Sequence, residues 1–444
     1  MLVVSGHPAK LRQGARPSDR PLDTLGRMPR TLHGLRRRAQ SAGIRALRRS
    51  RFFPRSMVDR LGEEAGYADR GLDARIMLFF PGPPDQLYQL LPWLPTLEAV
   101  DAAHGVVVVC QDSRVAEALR ARTSVRAITF SRYGALDGVL ARSDVALALY
   151  VGHASANFEC LRFASLLHAY IGHGDSDKGV SASNQLKAYD AVFAPGQAAV
   201  DRIHARLMRF DAERRCVVVG QPTTLSAPPA EGPAPGERTT VLYAPTWEGA
   251  QPSVAYSSVL THGLPLVESL LADARYRVIY RPHPLIGVTS GDYAGANAAV
   301  LNAVRQAGAD HRVIAADDEP LEATFARADV LVCDVSAVAT AWLPALRPLV
   351  VTKPAGPAAV SADSGMLARV RRLAPEEAGR APALLAEELA AEGGRTVLEE
   401  LVAYYLSPYW PDRSIERFVA ICGEFVAERD RLRSALVAAG ATGT

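Results

Sequence analysis

Four short segments of the 444-residue chain combine residue types that can hold phosphate or move a proton. Tyr280-Arg281-Pro282-His283-Pro284 closes an apolar run, and its prolines remove backbone donors and stiffen the turn. A stiff turn fixes the Arg281 guanidinium, suited to bidentate phosphate contact, and the His283 imidazole, able to donate a proton or bond an oxygen. In Asp329-Val-Leu-Val-Cys-Asp334-Val-Ser336-Ala337 a strand-like run ends at Cys333 and a helical pattern starts after Ser336. The first amides of such a helix lack intrahelical partners and suit a diphosphate. Plain N-capping by Asp334 or Ser336 is the bland alternative. Gly172-His173-Gly174-Asp175-Ser176-Asp177-Lys178-Gly179 offers His173 as a general base, Lys178 for a phosphate, and Asp175 or Asp177 to orient the imidazole. Tyr243-Ala-Pro-Thr246-Trp247-Glu248-Gly249 offers the Thr246 hydroxyl to a phosphate and Trp247 as a wall, or as ordinary core packing.

Three of the four follow a run that reads as a buried strand, and the Asp329–Ala337 segment contains one, Val330–Cys333. Strand ends at the carboxyl side of a parallel sheet face the ligand crevice. The runs Arg75–Phe80, Gly105–Cys110, Val125–Phe130, Val145–Val151 and Leu167–Ile171 are continuously apolar, as in strands covered on both faces. Val192–Phe193 and Cys216–Val219 add short strands, and Ser113–Arg122 reads as a helix between strands. A second series holds strands at Val241–Tyr243, Tyr276–Tyr280, Val313–Ala315, Val330–Cys333 and Leu349–Thr352. Its helices fall at Ser257–Ala272, Leu321–Ala328 and Ala337–Ala345. Between the two series lies the Pro/Gly-rich stretch 221–239, the best linker in the chain. The expected organisation is a basic arm over 1–55, a Rossmann-like domain over 56–220 and the linker. A second Rossmann-like domain over 240–410 follows, then a C-terminal helix over 411–444 that packs back. This is a GT-B-like α/β architecture with two parallel sheets facing a central cleft.

Apolar residues make up 48% and charged residues 22%, an ordinary globular balance, and the net charge is only +3. The basic excess is local: residues 1–55 carry fourteen Lys/Arg against Asp19 and Asp23. That arm suits an anionic membrane surface or is a solvated tail. Without aromatic interleaving or a known module it gives no reason to expect nucleic acid as a partner. The five cysteines stand singly, in no metal-ligand spacing, and fit a reducing cytoplasm. Neither a signal peptide nor a membrane-spanning run is evident, so the expected location is cytoplasmic, with peripheral contact at the inner membrane face through the arm. No Asp-x-Asp stands at a strand end, so neither metal nor cofactor is expected; Asp317-Asp318-Glu319 reads as a solvated loop or a helix cap.

In this order the four segments resemble the CDP-glycerol:poly(glycerophosphate) glycerophosphotransferases, over about residues 160–355. The resemblance rests on His173-Gly174, Tyr243-Ala-Pro-Thr246, Arg281-Pro-His283-Pro and Asp334-Val-Ser336-Ala337. It implies a CDP-polyol donor and an envelope polymer or lipid-linked acceptor. His173 would be the base on the acceptor hydroxyl. His283, the second catalytic residue, would hold the diphosphate with Arg281, Thr246 and Ser336 and stabilise the departing CMP, and Asp334, Ala337 and Lys178 would complete the substrate contacts. The acceptor would lie mainly against the domain over 56–220 and the nucleotide in the domain over 240–410. The chain departs from the family at three points. Asp175-Ser176-Asp177-Lys178 stands where Thr-Pro and then Lys are usual. Val335 replaces a Tyr, and Ala337 replaces a second Ser. The two carboxylates would repel an anionic donor unless Lys178 pairs one. A nucleotide-sugar glycosyltransferase or epimerase of the same fold, or a binding protein without turnover, are the competing readings.

Overall fold

The computed structural model describes residues 62–222, 237–249, 255–354, 359 and 365–440. The basic arm over 1–55 and most of the linker over 221–239 lie outside the described residues.

The continuous apolar runs form two wholly parallel sheets. The first contains β1 (Ile76–Phe80), β2 (Val106–Cys110), β3 (Arg126–Thr129), β4 (Leu147–Tyr150), β5 (Leu167–Tyr170), β6 (Ala191–Ala194) and β7 (Cys216–Val218), in the order β3-β2-β1-β4-β5-β6-β7. The second contains β8 (Thr239–Ala244), β9 (Tyr276–Tyr280), β10 (Arg312–Val313), β11 (Val330–Cys333), β12 (Leu349–Thr352) and β13 (Arg371–Leu373), in the order β10-β9-β8-β11-β12-β13. Every residue of β1, β2, β4, β11 and β12 is buried, because helices cover both faces of each sheet.

Each sheet has one point where the strand order reverses: between β1 and β4 in the first, between β8 and β11 in the second. Connections leave such a point toward opposite faces and open a crevice at the carboxyl ends of the two strands. All four candidate segments sit at carboxyl ends of strands.

Several elements differ from the expected pattern. The helix expected over Ser257–Ala272 is a π-turn, Val259–Gly263, running into helix Leu264–Leu271. Helices Gly291–Gln306 and Gly394–Leu406 and edge strand β13 have no counterpart in the sequence reading.

The C-terminal helix Ser414–Ala438 follows the second sheet but completes the core of the first. Its Phe418, Ile421 and Cys422 are buried among Trp93, Leu97 and Val100, and the Phe418 and Trp93 rings lie 5.1 Å apart. The chain therefore crosses between the two halves twice, after Gly220 and again before Ser414. Those crossings touch: a Cβ on Gly220, which has φ 87°, would fall 2.5 Å from Ser414 Oγ. All five cysteines are buried and unpaired. Among the described residues no helix is long and apolar enough to cross a membrane.

Candidate functional site

The second-half wall is built around Asp334, at the end of β11. Its carboxylate is fully buried. It accepts from the Thr246 amide at 2.7 Å, the Ser258 amide at 3.2 Å and the Thr352 hydroxyl at 2.6 Å. Burial pushes its pKa up, against the pull of those same donors. A carboxylate so enclosed cannot touch a ligand, so the expected substrate contact at Asp334 is not what the structure presents. Asp334 instead pins the Thr246 loop to the end of β11, across the strand-order reversal. Asp334→Ala strands three buried donors, each costing about 1–3 kcal/mol. Urea unfolding is therefore expected to show a loss of several kcal/mol; a change below about 1 kcal/mol would remove this structural role.

Ser336 occupies the N-cap position of helix Ala337–Trp342 but makes no capping bond, and its buried Oγ has no partner among the described residues. The capping alternative is therefore not realised, and Ser336 retains a free hydroxyl at the switch point. Ala337 beside it is exposed.

His283 is half-buried after β9. The Leu285 amide donates to its Nδ1 at 3.1 Å, so a neutral His283 carries its proton on Nε2 and is a donor there. Trp247 stacks on the ring with centroids 6.3 Å apart. Burial, reinforced by the Lys178 ammonium, lowers its pKa to about 4, so the ring is neutral at pH 7. Glu248 holds the following turn, accepting from the Gly287 and Thr289 amides at 3.0 Å each.

Arg281 points elsewhere. Its guanidinium donates to Thr324 Oγ1 at 2.9 Å, Glu319 O at 2.9 Å and Ala316 O at 3.4 Å. These bonds commit it to the Asp317-Asp318-Glu319 loop rather than to the open crevice. Within that loop Asp318 accepts from the Ala315 amide at 2.7 Å, and Glu319 pairs with Arg327.

On the first-half wall, His173 follows β5 and is open to solvent. Its Nδ1 lies 2.9 Å from the carbonyl oxygen of Val151. A carbonyl only accepts, so Nδ1 carries the proton and Nε2 presents a lone pair. Although the residue reaches solvent, the protein packed around its ring strips enough water to lower its pKa, against the Val151 bond, so Nε2 is unprotonated near neutrality. The two imidazoles are thus fixed in opposite tautomers, His173 as a base and His283 as a donor. By contrast, His168 bonds through both ring nitrogens, to the Tyr150 hydroxyl and Phe163 O, as does His262, to Thr261 Oγ1 and Leu373 O. Those two are structural.

The walls meet. Lys178 Nζ donates to Thr246 Oγ1 at 3.1 Å and lies 5.7 Å from the centre of the Tyr256 ring. A Cβ on Gly174 would stand 3.5 Å from that of Ala337. The ammonium of Lys178 also lies close enough to His283 to lower its pKa. Lys178, Thr246 and His283 therefore meet, and the loop that carries His173 lies against the Ser336–Ala337 turn, while Asp334 is buried beneath Thr246 and Arg281 is turned to its own loop. The pairing of Lys178 with Asp175 or Asp177 does not occur: Arg202 takes both carboxylates.

Three residues near His173 are not among those the sequence analysis singles out. His153, after β4, stacks on Tyr170 with centroids 4.6 Å apart, and its buried Nδ1 has no partner among the described residues. Burial and the neighbouring His173 lower its pKa to about 4. Tyr88, 60% exposed, meets the His173 ring edge-on at 6.1 Å. Trp93 donates to Gly172 O at 2.8 Å. For His153 a signal was present, since Gly152-His153 ends a strand run just as Gly172-His173 does.

Comparison with known proteins falls on this geometry. No curated protein matches the chain in sequence. The fold is similar to a candidate UDP-N-acetylglucosamine 2-epimerase from Listeria monocytogenes (12% identity, TM-score 0.53, 80% of this chain and 98% of that one). It is also similar to a glycosyltransferase from Rickettsia africae (11%, 0.52, 79% and 98%). A third is the wall teichoic acid polymerase TagF (12%, 0.50, 90% and 98%). At these identities the likeness shows the GT-B fold. Residues 223–392, which hold Thr246, Arg281, His283, Asp334, Ser336 and Ala337 but not His173 or Lys178, match a family model. The second half of the chain thus carries the signature of the CDP-glycerol:poly(glycerophosphate) glycerophosphotransferase family.

Proposed function

We propose that the chain is a transferase of envelope-polymer synthesis that moves a polyol phosphate, glycerol phosphate first among candidates, from a CDP-polyol to an acceptor hydroxyl. The acceptor is an envelope polymer or a lipid-linked glycan. The observation that carries this reading is Lys178, which extends from the His173 loop to Thr246 and stands beside His283, so that two imidazoles held in opposite tautomers belong to segments in contact. The acceptor O–H gives its proton to His173 Nε2, and its oxygen attacks the β-phosphorus. The bond from that phosphorus to the oxygen of CMP breaks, and CMP leaves. His283 Nε2–H, the Ser336 hydroxyl, the Thr246 hydroxyl and the Lys178 ammonium meet the charge on the phosphate oxygens. Such catalysis is positioning and preorganised electrostatics. Arg281 supports it at one remove, by ordering the 316–319 loop. The arm over 1–55 is proposed to meet an anionic membrane surface, bringing the crevice to a lipid-linked acceptor.

Incubation with CDP-glycerol and CDP-ribitol tests the reading through CMP release and thermal stabilisation. Ligand at 100 times its Kd stabilises by about 2.7 kcal/mol. Stabilisation by UDP- or GDP-sugars, and by no CDP-polyol, would move the chain to the nucleotide-sugar enzymes. Stabilisation by CDP-glycerol without product would make it a binding protein.

The pH dependence follows from His173. A base with a lowered pKa stays unprotonated to lower pH, so the acid limb of kcat is expected below the ordinary histidine value of about 6.5. An acid limb at or above that value would contradict His173 as a base of lowered pKa.

A further inference from the structure

The loop carrying His173 and Lys178 has no regular secondary structure, and none of the amides of residues 173–178 donates to a backbone carbonyl among the described residues. Side chains must therefore set its shape. Two of its residues, Asp175 and Asp177, look harmful beside an anionic donor, yet both turn inward. Arg202, on helix Gln197–Arg206, donates through Nη2 to the Asp175 oxygens at 2.6 and 2.7 Å and through Nη1 to Asp177 at 2.8 Å. The guanidinium side chain is 8% exposed. From the other side, the Tyr405 hydroxyl of helix Gly394–Leu406 donates to Asp177 Oδ2 at 2.7 Å while accepting the Met366 amide at 2.9 Å.

The geometry points to Arg202 as a positioning residue for the transfer reaction, acting through Asp175 and Asp177 on His173 and Lys178, with Tyr405 as its counterpart from the C-terminal segment. This rests on the roles given above to His173 and Lys178. Anchors at Asp175 and Asp177 leave the flanking His173 and Lys178 little freedom to leave the crevice. One planar fork bridging two carboxylates also cancels part of the charge that would repel the donor. A lysine, with a single ammonium, cannot span both. The Tyr405 bond adds a condition: the loop is fully held only while the helix Gly394–Leu406 is seated against it.

The full chain, wild type and as Tyr405→Phe, Arg202→Lys and Arg202→Met, decides this by two measurements. The first is hydrogen–deuterium exchange over residues 172–179, which needs no substrate. Tyr405→Phe and Arg202→Lys are expected to speed exchange there and leave the strands of both sheets unchanged. The second is steady-state kinetics with CDP-glycerol. Misplacing a reacting group by about 1 Å costs on the order of 100-fold, so Arg202→Lys is expected to lower kcat by that order with an unchanged donor KM. Tyr405→Phe should fall in between. Unchanged exchange in both conservative variants would overturn the anchoring, and faster exchange with full kcat would overturn the positioning role. Arg202→Met leaves two buried carboxylates unpaired; if it does not fold, the two conservative variants still decide. A wild-type chain that ignores CDP-glycerol refutes the proposed reaction, while the exchange result still judges the loop.

Discussion

Replacing His173 by asparagine is expected to lower kcat on the order of 1,000-fold, the usual scale for a lost general base, while donor binding survives. The choice of asparagine is deliberate. Its amide N–H can replace Nδ1 in the bond to Val151 O, so the loop keeps its anchor, but nothing remains at the position of Nε2. His173→Gln gives a sharper comparison. It returns an amide group near Nε2, yet an amide cannot take a proton at neutral pH, so no recovery is expected. Rates of both variants in CMP release, beside thermal shift with CDP-glycerol, make the check. Recovery in the glutamine variant would mean that His173 binds rather than removes a proton.

The matching experiment at His283 should give the opposite pattern. His283→Asn keeps an acceptor for the Leu285 amide through its side-chain oxygen but loses the Nε2–H donor. Losing one such donor to developing charge costs roughly 100- to 1,000-fold in kcat. His283→Gln can carry an amide N–H close to the lost position and is expected to recover a good part of that loss. A donor needs only a hydrogen; a base needs a basic site. If glutamine recovers activity at 173 and not at 283, the two roles are reversed.

What the sequence discloses about this molecule follows a physical line. Strands such as Val106–Cys110 are legible because burial on both faces demands an unbroken apolar run. Helix Gly291–Gln306 is not, because only Val300 and Val304 are buried and most of the rest is Ala, Asn and Gly without a strong stripe. Strand β13 is Arg-Arg-Leu on a sheet edge, where charge is tolerated and the apolar signature fades. The same division runs through the site. Strand-end location brings His173, Thr246, His283 and Ser336 into view, since the parallel topology fixes where carboxyl ends face. Side-chain direction is a tertiary matter. Arg281 reads as a phosphate ligand until Thr324 and the 316–319 carbonyls are seen to claim it. Asp334 reads as a cap or ligand until its three donors enclose it. Asp175 and Asp177 read as a liability because Arg202, an unremarkable helical residue more than twenty positions away, gives no local sign of its role.

The two passages of chain between the halves lie against each other at Gly220 and Ser414. Only glycine suits that meeting point, since φ is 87° there and a Cβ would stand 2.5 Å from Ser414 Oγ. Any side chain at position 220 would push against the start of the helix that completes the first core, so the residue guards the fit between chain segments almost two hundred positions apart.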